Sequence, residues 1–331
     1  MDNSPLILLA AGGTGGHLFP AEALGVELIK RGFRVRLATD ARALRYSGLF
    51  SKDNIDVVPS ETVRGRNPIS LARTAIMLGY GGIVALNLVR RLKPAAVIGF
   101  GGYPTLPPLM AARLLGVPSI IHDANAVLGR ANRFLAGGVN AIATSLPGVL
   151  DRDPDLAGKT VTVGTPMRPA VLTAAAVPFA SPEPNGPLRL LVVGGSQGAR
   201  VMSDIVPGAI EKLEPFFTDL PARLASNHLV ISRSGAGTVA ELAAIGRPSI
   251  LVPLPGAIDQ DQFANAGVLA KVDGALRIPQ DEFTPDRLAA EISALAAEPA
   301  RLTAMAAAAR KVGRLDAAER LADLVMKVAG I

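Results

Sequence analysis

The 331-residue chain contains no cysteine, no tryptophan and only three histidines. Without cysteine it can form no disulfide, thiolate metal site or cysteine nucleophile. The histidines, His17, His122 and His228, are too scattered in sequence to suggest a zinc cluster. Aromatic residues make up 4% of the chain, which argues against the stacking platforms that bind single-stranded nucleic acid. We therefore expect no cofactor, no metal and no nucleic-acid partner.

Long charged and long apolar runs are also lacking. Hydrophobic residues make up 49% and charged residues 19% of the chain, a composition that excludes a disordered protein. No basic stretch precedes the apolar run 6–11, so this run is predicted to be a strand and not a signal peptide. The weakly charged stretch 74–89 is shorter than the roughly 20 apolar residues that span a bilayer. The net charge of +6 by itself suits an anionic membrane surface or phosphorylated ligands as well as nucleic acid.

The two halves of the chain begin with the same pattern. Residues 5–16 read PLILLAAGGTGG, and residues 187–198 read PLRLLVVGGSQG. Each is a buried-strand pattern that runs into a glycine turn and then a helical segment, 21–31 or 201–212. Such a turn offers free backbone N–H groups and a positive helix end to an anion. The repeat therefore predicts two doubly wound domains.

Further apolar runs alternate with helical segments, which predicts parallel sheets covered by helices. The strand candidates are 35–39, 55–59, 95–99, 119–122, 141–145, 229–232 and 249–253. Alanine-rich segments at 288–295 and 302–325 predict amphipathic surface helices.

Six prolines between positions 166 and 187 predict a linker over 164–187. We expect an N-terminal domain over 1–163 and a C-terminal domain over 188–315. The last helix, about 316–331, is expected to be able to pack back on the N-terminal domain.

The first glycine loop does not fit the common phosphate motifs. Leu18 stands where the dinucleotide fingerprint needs its third glycine, although Asp40 ends the second strand where a ribose-binding acid would lie. A nicotinamide enzyme therefore stays a distant alternative. No G-K-[ST] follows either glycine turn, which excludes a Walker loop. Asp151 and Asp153 match the D-x-D pattern of metal-dependent sugar transferases, but Pro154 indicates a surface turn.

Polar residues follow two consecutive strands of the second half. The segment 234–238 opens a helix that contains Glu241, whose carboxylate can accept hydrogen bonds from ribose hydroxyls. The loop 253–262 after the next strand is rich in carboxylates and amides, and Asn265 follows it. Because ligands of α/β proteins bind at the carboxyl ends of the strands, these loops predict a binding site.

Seven motifs, in order over nearly the whole chain, resemble those of the MurG family. They are GGTGGH at 12–17, GFGGY at 99–103, HDAN at 122–125, GTPMR at 164–168, GGSQGA at 194–199, RSGA at 233–236 and the segment 259–266. The resemblance implies the GT-B fold, in which two Rossmann-like α/β domains face a cleft.

It also implies an inverting transferase that moves N-acetylglucosamine (GlcNAc) from UDP-GlcNAc to the 4-hydroxyl of undecaprenyl-diphosphate-linked MurNAc-pentapeptide. This step converts lipid I into lipid II in peptidoglycan synthesis. The enzyme would lie peripherally on the cytoplasmic face of the bacterial inner membrane, with cell-wall and division machinery as partners.

By resemblance, both domains contribute to the substrate sites. The UDP-GlcNAc site would contain Thr14, Gly15, Gly16, Asn125, Arg168, Ser196, Phe217, Ala236, Gly237, Thr238, Val239, Glu241, Gln262 and Asn265. The acceptor diphosphate would lie against Gly13, His17, Gly101, Gly102 and Tyr103. Ser196 and the helix start at 236–238 would face the donor diphosphate, and Glu241 the ribose. Gln262 and Asn265 would meet the sugar hydroxyls.

The implied chemistry needs a base for the acceptor hydroxyl, while backbone dipoles can stabilise the departing diphosphate without a metal. His17 is one candidate, because histidine ordinarily titrates near neutral pH. Binding of the acceptor phosphate or capping of the helix is an equal alternative for His17. Asp123 is a second candidate, with support of the neighbouring loop as its other role. We expect His122 and His228 to be structural.

Basic residues bracket an apolar stretch in the first half. The basic residues are Arg64, Arg66, Arg73, Arg90, Arg91 and Lys93, and the apolar ones are Ile76, Met77, Tyr80 and Ile83. This arrangement suits an anionic bilayer surface, with a buried helix that has solvated ends as the alternative. The lipid-linked acceptor implied by the resemblance favours peripheral membrane docking.

Three departures from the family pattern stand out. Asp123 replaces a glutamate and Thr165 an asparagine, and both changes are mild. Near Leu213, roughly 40 residues, more than one βα unit, are missing. We predict a C-terminal sheet without some interior strands, and lower donor affinity or stability than in full-length relatives. The alternative function is a catalytically impaired homologue that binds membrane or cell-wall partners.

Overall fold

The computed structural model describes residues 4–12, 14–41, 48, 50–60, 68–183, 186–194, 199–206, 219–257 and 261–331. The chain divides into two compact units. Unit 1 comprises Met1–Ala124, Leu128–Pro166 and Asp316–Ile331, and unit 2 comprises Asn125–Val127 and Met167–Leu315. Within the described ranges, no helix combines the length and apolarity needed to cross a membrane.

Unit 1 is built on a parallel sheet with strand order β3-β2-β1-β4-β5-β6-β7. The strands are β1 (Leu6–Ala10), β2 (Arg34–Thr39), β3 (Ile55–Val57), β4 (Ala96–Gly99), β5 (Ser119–Asp123), β6 (Ala141–Thr144) and β7 (Thr160–Thr162). The helices are α1 (Gly15–Lys30), α2 (Pro68–Leu92), α3 (Leu106–Leu114), α4 (Arg130–Ala136), α5 (Pro154–Ala157) and α13 (Ala317–Ala329).

The sheet of unit 1 is covered on both faces. Successive side chains of β1 point to opposite faces, so Ile7 and Leu9 enter the core with α1 and α13. Leu8 and Ala10 enter the core with α2 and α3. A strand buried on both faces has no polar alternation, which explains the continuous apolar run in the sequence.

Helix α13 returns the end of the chain to unit 1. Leu321 and Val325 are fully buried in the core beside α1, and Arg31 Nη1 donates to Asp323 Oδ1 at 2.6 Å. The predicted single helix over 302–325 is interrupted at Gly313, where a side chain would collide with the backbone of Ala243. Its second part, α13, is amphipathic, with one face buried against unit 1 and Asp323 exposed on the other.

Unit 2 is built on a parallel sheet with strand order β11-β10-β9-β8. The strands are β8 (Leu190–Val193), β9 (Leu229–Ser232), β10 (Ser249–Leu251) and β11 (Ala275–Arg277). The helices are α6 (Pro169–Ala175), α7 (Arg200–Ile205), α8 (Leu220–Ser226), α9 (Ala236–Ile245), α10 (Asp261–Ala270), α11 (Pro285–Ala297) and α12 (Pro299–Val312).

The segment predicted as a linker contains α6, which belongs to the core of unit 2. Val171 and Ala175 are buried against Leu242 of α9. Pro169 stands in the first turn of α6, where a missing backbone N–H costs no helical hydrogen bond. The division between the units falls at Pro166 and Met167, early in the predicted linker of 164–187.

The sheet of unit 2 is shortened at its end. The sequence repeat equates β8 with β1, and β1 has β2 and β3 on one side and β4 on the other. Among the described residues no strand lies beyond β8, and its residues are only half-buried whereas those of β1 are buried. Within the described residues β8 pairs directly with β9, so the predicted shortening of the sheet falls at the β8 end, where β8 has become an edge strand.

Candidate active site

His17 lies in a cradle of glycines where β1 and β4 end. The two strands run in parallel with Ala10 opposite Gly99, so the loops that follow them meet, and Gly12 N donates to Gly101 O at 3.1 Å. A Cβ atom at Gly12 would lie 3.2 Å from His17 Cδ2, and one at Gly101 3.1 Å from its Cε1. Gly102 approaches the same ring. The half-buried imidazole therefore fits only because these positions lack side chains.

The start of α1 carries the remaining predicted residues of this loop. Thr14 precedes the helix in an extended conformation, and its carbonyl accepts a hydrogen bond from His17 N at 3.1 Å. Gly15 and Gly16 form the first helical turn, where backbone N–H groups have no partner within the helix. Tyr103 begins a short 3-10 turn, Tyr103–Thr105, after the Gly101–Gly102 pair.

Asp123 supports the loop that leads into α4. Its Oδ2 accepts hydrogen bonds from Gly129 N at 2.8 Å and from Asn132 Nδ2 at 3.0 Å. Asn132 Nδ2 also donates to His122 O at 3.0 Å. The carboxylate is buried, and one of its oxygens is engaged in holding this turn. The geometry thus agrees with loop support, one of the two roles considered for Asp123.

The two other histidines are held by backbone groups, as predicted. His122 Nε2 lies 2.9 Å from Gly164 O, and burial lowers the pKa of this ring. His228 Nδ1 accepts a hydrogen bond from Arg189 N at 3.0 Å. Burial lowers the pKa of His228 as well. Both rings are neutral at neutral pH and serve as fixed hydrogen-bonding groups.

In unit 2, the start of helix α9 and a buried carboxylate lie close together in sequence. Helix α9 begins at Ala236 directly after β9, so the N–H groups of Ala236, Gly237 and Thr238 stand at its positive end. Glu241, one turn further, is 13% exposed and lies 3.5 Å from Arg168 Nη2. Burial raises the pKa of Glu241, while the Arg168 charge and hydrogen bond oppose this shift.

Val239, which was predicted to bind the donor together with residues 236–238, is a core residue of unit 2. Its side chain is buried in the core of unit 2, and its N–H donates to Gly235 O at 3.0 Å. A ligand at the helix start would therefore meet the residues before Val239 and not its side chain.

Gln262 and Asn265 connect three loops of unit 2 by hydrogen bonds. Gln262 Oε1 accepts from Leu254 N at 3.0 Å, and Gln262 O accepts from the Ser234 hydroxyl at 2.8 Å. Asn265 Oδ1 accepts from Ala126 N at 2.8 Å. Asn265 Nδ2 donates to Asn125 Oδ1 and Ser234 O. Gln262 and Asn265 thus connect the ends of β9 and β10 with the 125–127 loop.

Arg233 is a buried cation that the sequence reasoning left without a role. Its Nη1 donates to Val252 O and Pro253 O, both at 3.1 Å, and its Nη2 donates to Gln280 Oε1 at 2.6 Å. Burial lowers the pKa of Arg233. The side chain spans the ends of β9 and β10 and reaches the loop after β11. The position of Arg233 in the RSGA motif could have identified it as a residue of the site, whereas nothing in the sequence pointed to Gln280.

Helices α2, α3 and α4 carry an exposed apolar surface in unit 1, here called the apolar patch. Its members are Ile76, Tyr80 and Ile83 of α2, Met110 and Leu114 of α3, and Phe134 of α4. The opposite face of α2, with Ala85 and Val89, is buried. Leu114 is 76% exposed and Phe134 69%. Helices α2 and α3, and α3 and α4, contact each other, and large apolar side chains exposed on neighbouring helices are typical of binding surfaces.

Charged groups flank the apolar patch. Arg90 is exposed at the end of α2, and Arg113 lies in the last turn of α3. Of the predicted basic residues, Arg64 and Arg66 lie outside the described residues. Across the part of the chain that the structure describes, no group of three His, Asp or Glu side chains could hold a metal ion.

Comparisons with known proteins agree on the class of enzyme. The sequence model of the glycosyltransferase family 28 N-terminal domain matches residues 7–144, and that of the C-terminal domain of the same family matches residues 212–321. The fold resembles the crystal structure of Acinetobacter baumannii MurG with a TM-score of 0.76 and 28% identity, over 98% of this chain and 99% of that one. LpCGTa, solved in complex with UDP, shares the fold alone, with a TM-score of 0.68 and 17% identity over 98% of this chain and 99% of that one.

Curated relatives decide the family. A protein of Bradyrhizobium diazoefficiens named UDP-N-acetylglucosamine–N-acetylmuramyl-(pentapeptide) pyrophosphoryl-undecaprenol N-acetylglucosamine transferase is 75% identical over 366 residues, with all of both chains covered. A protein of the same name from Nitrobacter hamburgensis is 73% identical, over 99% of this chain and 98% of its own. The chain belongs to the MurG family. The predicted family, GT-B fold and enzyme class are confirmed.

The alignment also supports the predicted deletion. It spans 366 positions with the Bradyrhizobium diazoefficiens member of the MurG family, 35 more than the 331 residues present here. The four-strand sheet of the described unit 2 lacks counterparts of β2 and β3, which is a loss of comparable size. The deletion therefore removes the end of the sheet and leaves the other MurG motifs in place.

The MurG motifs gather into two groups of residues, one in each unit. Unit 1 contains Thr14, Gly15, Gly16, His17, Gly101, Gly102, Tyr103 and Asp123. Unit 2 contains Asn125, Arg168, Ala236, Gly237, Thr238, Val239, Glu241, Gln262 and Asn265. Gly13, Ser196 and Phe217 lie outside the described residues.

Proposed function

We propose that this protein transfers GlcNAc from UDP-GlcNAc to the 4-hydroxyl of undecaprenyl-diphosphate-linked MurNAc-pentapeptide, with inversion at the anomeric carbon. Its relatives carry the name of the corresponding transferase. The observation that supports the donor site most strongly is the succession of a helix start and a buried carboxylate in α9. The α9 start suits a diphosphate, and Glu241 beside Arg168 suits the ribose hydroxyls.

The donor would lie along the carboxyl edge of the unit 2 sheet. Its diphosphate would accept hydrogen bonds from the N–H groups of residues 236–238, and the positive end of α9 would favour its charge. Gln262 would meet the sugar, since it stands in the first turn of α10 and its side chain reaches Leu254, shortly after β10. Arg168 would balance the charge of Glu241.

The reaction would exchange one bond at the anomeric carbon. The acceptor oxygen forms a bond to this carbon, the bond from carbon to the β-phosphate oxygen breaks, and UDP leaves with the electron pair. His17 would take the acceptor hydroxyl proton as the general base. Its glycine cradle supports this role, because it holds the imidazole in one position beside the α1 start. Asp123 would serve as support for the loop before α4.

A lipid-linked acceptor would bring unit 1 to a membrane surface. The apolar patch, with Arg90 and Arg113 beside it, supports insertion among the headgroups of an anionic bilayer. The protein would then act as a peripheral enzyme on the cytoplasmic face of the inner membrane, and the acceptor diphosphate would approach His17 and Gly101 from that surface. Partnership with cell-wall and division machinery stays a prediction.

The test is UDP release from UDP-GlcNAc with and without a short-chain lipid I analogue. The expected result is acceptor-dependent release that is lost in Glu241→Ala and kept in Arg287→Ala, an exposed residue of α11. Wild-type protein that melts cooperatively and releases no UDP would overturn the proposal. It would favour the impaired homologue that only binds membrane or cell-wall partners.

A further inference from the structure

A cleft of about 400 Å³ lies in unit 2 at the amino ends of β8 and β9. Arg189 directly precedes β8, His228 directly precedes β9, and both residues line the cleft. The two strands are parallel, so their amino ends lie at the edge of the sheet opposite the α9 start, which follows the carboxyl end of β9. The cleft is therefore separate from the proposed donor site, and its volume is that of a small-molecule site.

His228 offers a hydrogen-bond donor in this cleft. The residue is only 3% exposed, and its Nδ1 accepts from Arg189 N at 3.0 Å. A neutral imidazole that accepts at Nδ1 carries its proton on Nε2. In the part of the chain that the structure describes, His228 Nε2 makes no hydrogen bond. A buried donor without a partner is unfavourable, and an acceptor atom of a ligand in the cleft would satisfy it.

Arg189 places a guanidinium beside this ring. Its Nε donates to Ser226 O at 2.9 Å, while its two terminal nitrogens have no partner among the described residues. The planar fork of an arginine can bind both oxygens of a carboxylate. Because Nε is already held by the backbone, the guanidinium loses little freedom when a ligand binds.

The charges around the cleft favour an anion. Arg247 lies behind the cleft wall, with Nη2 3.4 Å from Val177 O. Burial lowers the pKa of His228, and the charges of Arg189 and Arg247 lower it further, so both cations lie near the ring. Neither arginine forms an ion pair with a carboxylate in the described ranges. The negative end of α8 does not cancel them, because both donate to its last carbonyls.

The opposite wall of the cleft is apolar. Val177, Pro178 and Ala180 line it, and Val177 is 46% exposed. A ligand that matches both sides has an anionic end and an apolar body. One free guanidinium beside a neutral N–H donor suits a single negative charge, as a carboxylate has, better than the double charge of a phosphate.

We propose that this cleft binds a small organic acid, with its carboxylate between Arg189 and the Nε2–H of His228 and its apolar body against the apolar wall. The site is independent of the proposed transferase reaction, because none of its described lining residues belongs to the donor or acceptor site. It gives unit 2 a second ligand at the edge of the sheet away from the donor.

The test is a titration of the full chain with 3-phenylpropionate near neutral pH, followed by NMR through the histidine ring signals. The chain has three histidines, and loss of one signal in His228→Asn identifies that of His228. Asparagine keeps an acceptor close to the Nδ1 position but has no group at the Nε2 position. Two further ligands are compared. 3-Phenylpropionamide has the same body without the charge, and inorganic phosphate has charge without the body.

The acid is expected to shift the His228 signal saturably and to leave the signals of His17 and His122 unchanged. The amide and phosphate should each bind at least about tenfold more weakly. By saturation transfer to the ligand, Arg189→Gln and His228→Asn should each weaken the acid by about tenfold. The matched control is Arg287→Gln, at an exposed arginine of α11 in the same unit, which should bind the acid like the wild type.

Three results would overturn the proposal, and all are obtained with the wild type. The first is no saturable shift of the His228 signal up to about 10 mM acid. The second is equal affinity for the acid and its amide, which would remove the role of the charge. The third is equal affinity for the acid and phosphate, which would remove the role of the apolar wall.

Discussion

Arg168 and Glu241 form an ion pair in unit 2, with 3.5 Å between Nη2 and Oε1. The pair joins the residue that precedes α6 to the second turn of α9. Its electrostatics have two opposed contributions. Burial raises the pKa of the Glu241 carboxyl, and the positive charge of Arg168 lowers it in part.

Donor binding should therefore weaken as the pH falls. Ribose hydroxyls need an acceptor at Glu241, and a raised pKa means that the carboxylate is protonated at a higher pH than usual. The dissociation constant of UDP-GlcNAc, measured by calorimetry between about pH 5 and 8, should rise by at most about tenfold per pH unit below that pKa. Arg168→Met should move the onset to higher pH. Glu241→Gln should bind weakly and without this dependence, and a parallel pH profile in Glu241→Gln would contradict the assignment.

Gly101→Ala should impair catalysis through His17. The new Cβ would lie 3.1 Å from the imidazole, and the residue has φ of +93°. Displacement of the ring should lower kcat about 100-fold, toward the value of His17→Ala, and destabilise the protein by about 1 to 3 kcal/mol.

The matched control for this variant is Gly137→Ala. Gly137 has φ of −63° and nothing within 4 Å of a built Cβ. Its kcat and melting temperature should match those of the wild type. A Gly101→Ala enzyme with normal kcat would show that the glycine cradle does not control His17.

Arg247 is predicted to be a principal support of unit 2. It is fully buried, and it donates to Leu224 O at 3.0 Å, to Ala225 O at 2.7 Å and to Gly246 O at 3.3 Å. Burial lowers its pKa to about 10, so the guanidinium stays charged at neutral pH. It thus places a positive charge at the negative ends of α8 and α9.

Arg247→Met should lower the free energy of unfolding by about 3 kcal/mol, since several buried carbonyls lose their donors. Arg287→Met breaks only an exposed i,i+4 pair with Glu291 and should cost less than about 0.5 kcal/mol. Urea unfolding of both variants provides the comparison. Equal midpoints would show that Arg247 is dispensable.

The apolar patch should control membrane binding. Ile83→Glu combined with Leu114→Glu should reduce co-sedimentation with anionic phospholipid vesicles by about tenfold or more, because two exposed apolar anchors become charged. The control is Val272→Glu, which makes the same kind of change at an exposed apolar residue of unit 2. This variant should bind vesicles like the wild type. Unchanged binding of the double variant would exclude this surface.

Restoring the missing part of the sheet should stabilise unit 2. We expect a chimera that carries the corresponding segment of the Bradyrhizobium diazoefficiens relative to have a free energy of unfolding about 2 kcal/mol higher, measured by urea unfolding. The reason is that β8 would gain a neighbouring strand. Its affinity for UDP-GlcNAc should also increase. If the chimera and the original chain unfold at the same urea concentration and bind UDP-GlcNAc equally, the predicted loss of stability and affinity through the deletion is wrong.

Local patterns in the sequence were enough for the strands, the glycine loops and much of the site. The repeat at 5–16 and 187–198 located β1 and β8, and the segment 234–238 located the start of α9. Helix α1 begins at Gly15, six residues before the predicted bound at residue 21. Glu241 followed from its place one turn into α9. Such predictions succeed because a buried parallel strand and a helix start each leave a signature within about ten residues of chain.

Contacts between residues that are far apart in the sequence could not be predicted from such local patterns. The amide of Asn265 was expected to meet a sugar, and the structure gives it three partners that come from positions 125, 126 and 234. The break at Gly313 likewise depends on close approach to the backbone of α9. No local pattern encodes which amide will face which backbone group.

The sequence by itself determined the family, the two parallel sheets and the deletion. Tertiary structure alone decided where the deletion falls in the sheet, which face of α2 joins α3 and α4 in the apolar patch, and which carbonyls surround Arg247. The physical reason is that hydrophobic periodicity records how each element is buried, whereas strand order and side-chain partners depend on how the elements pack together.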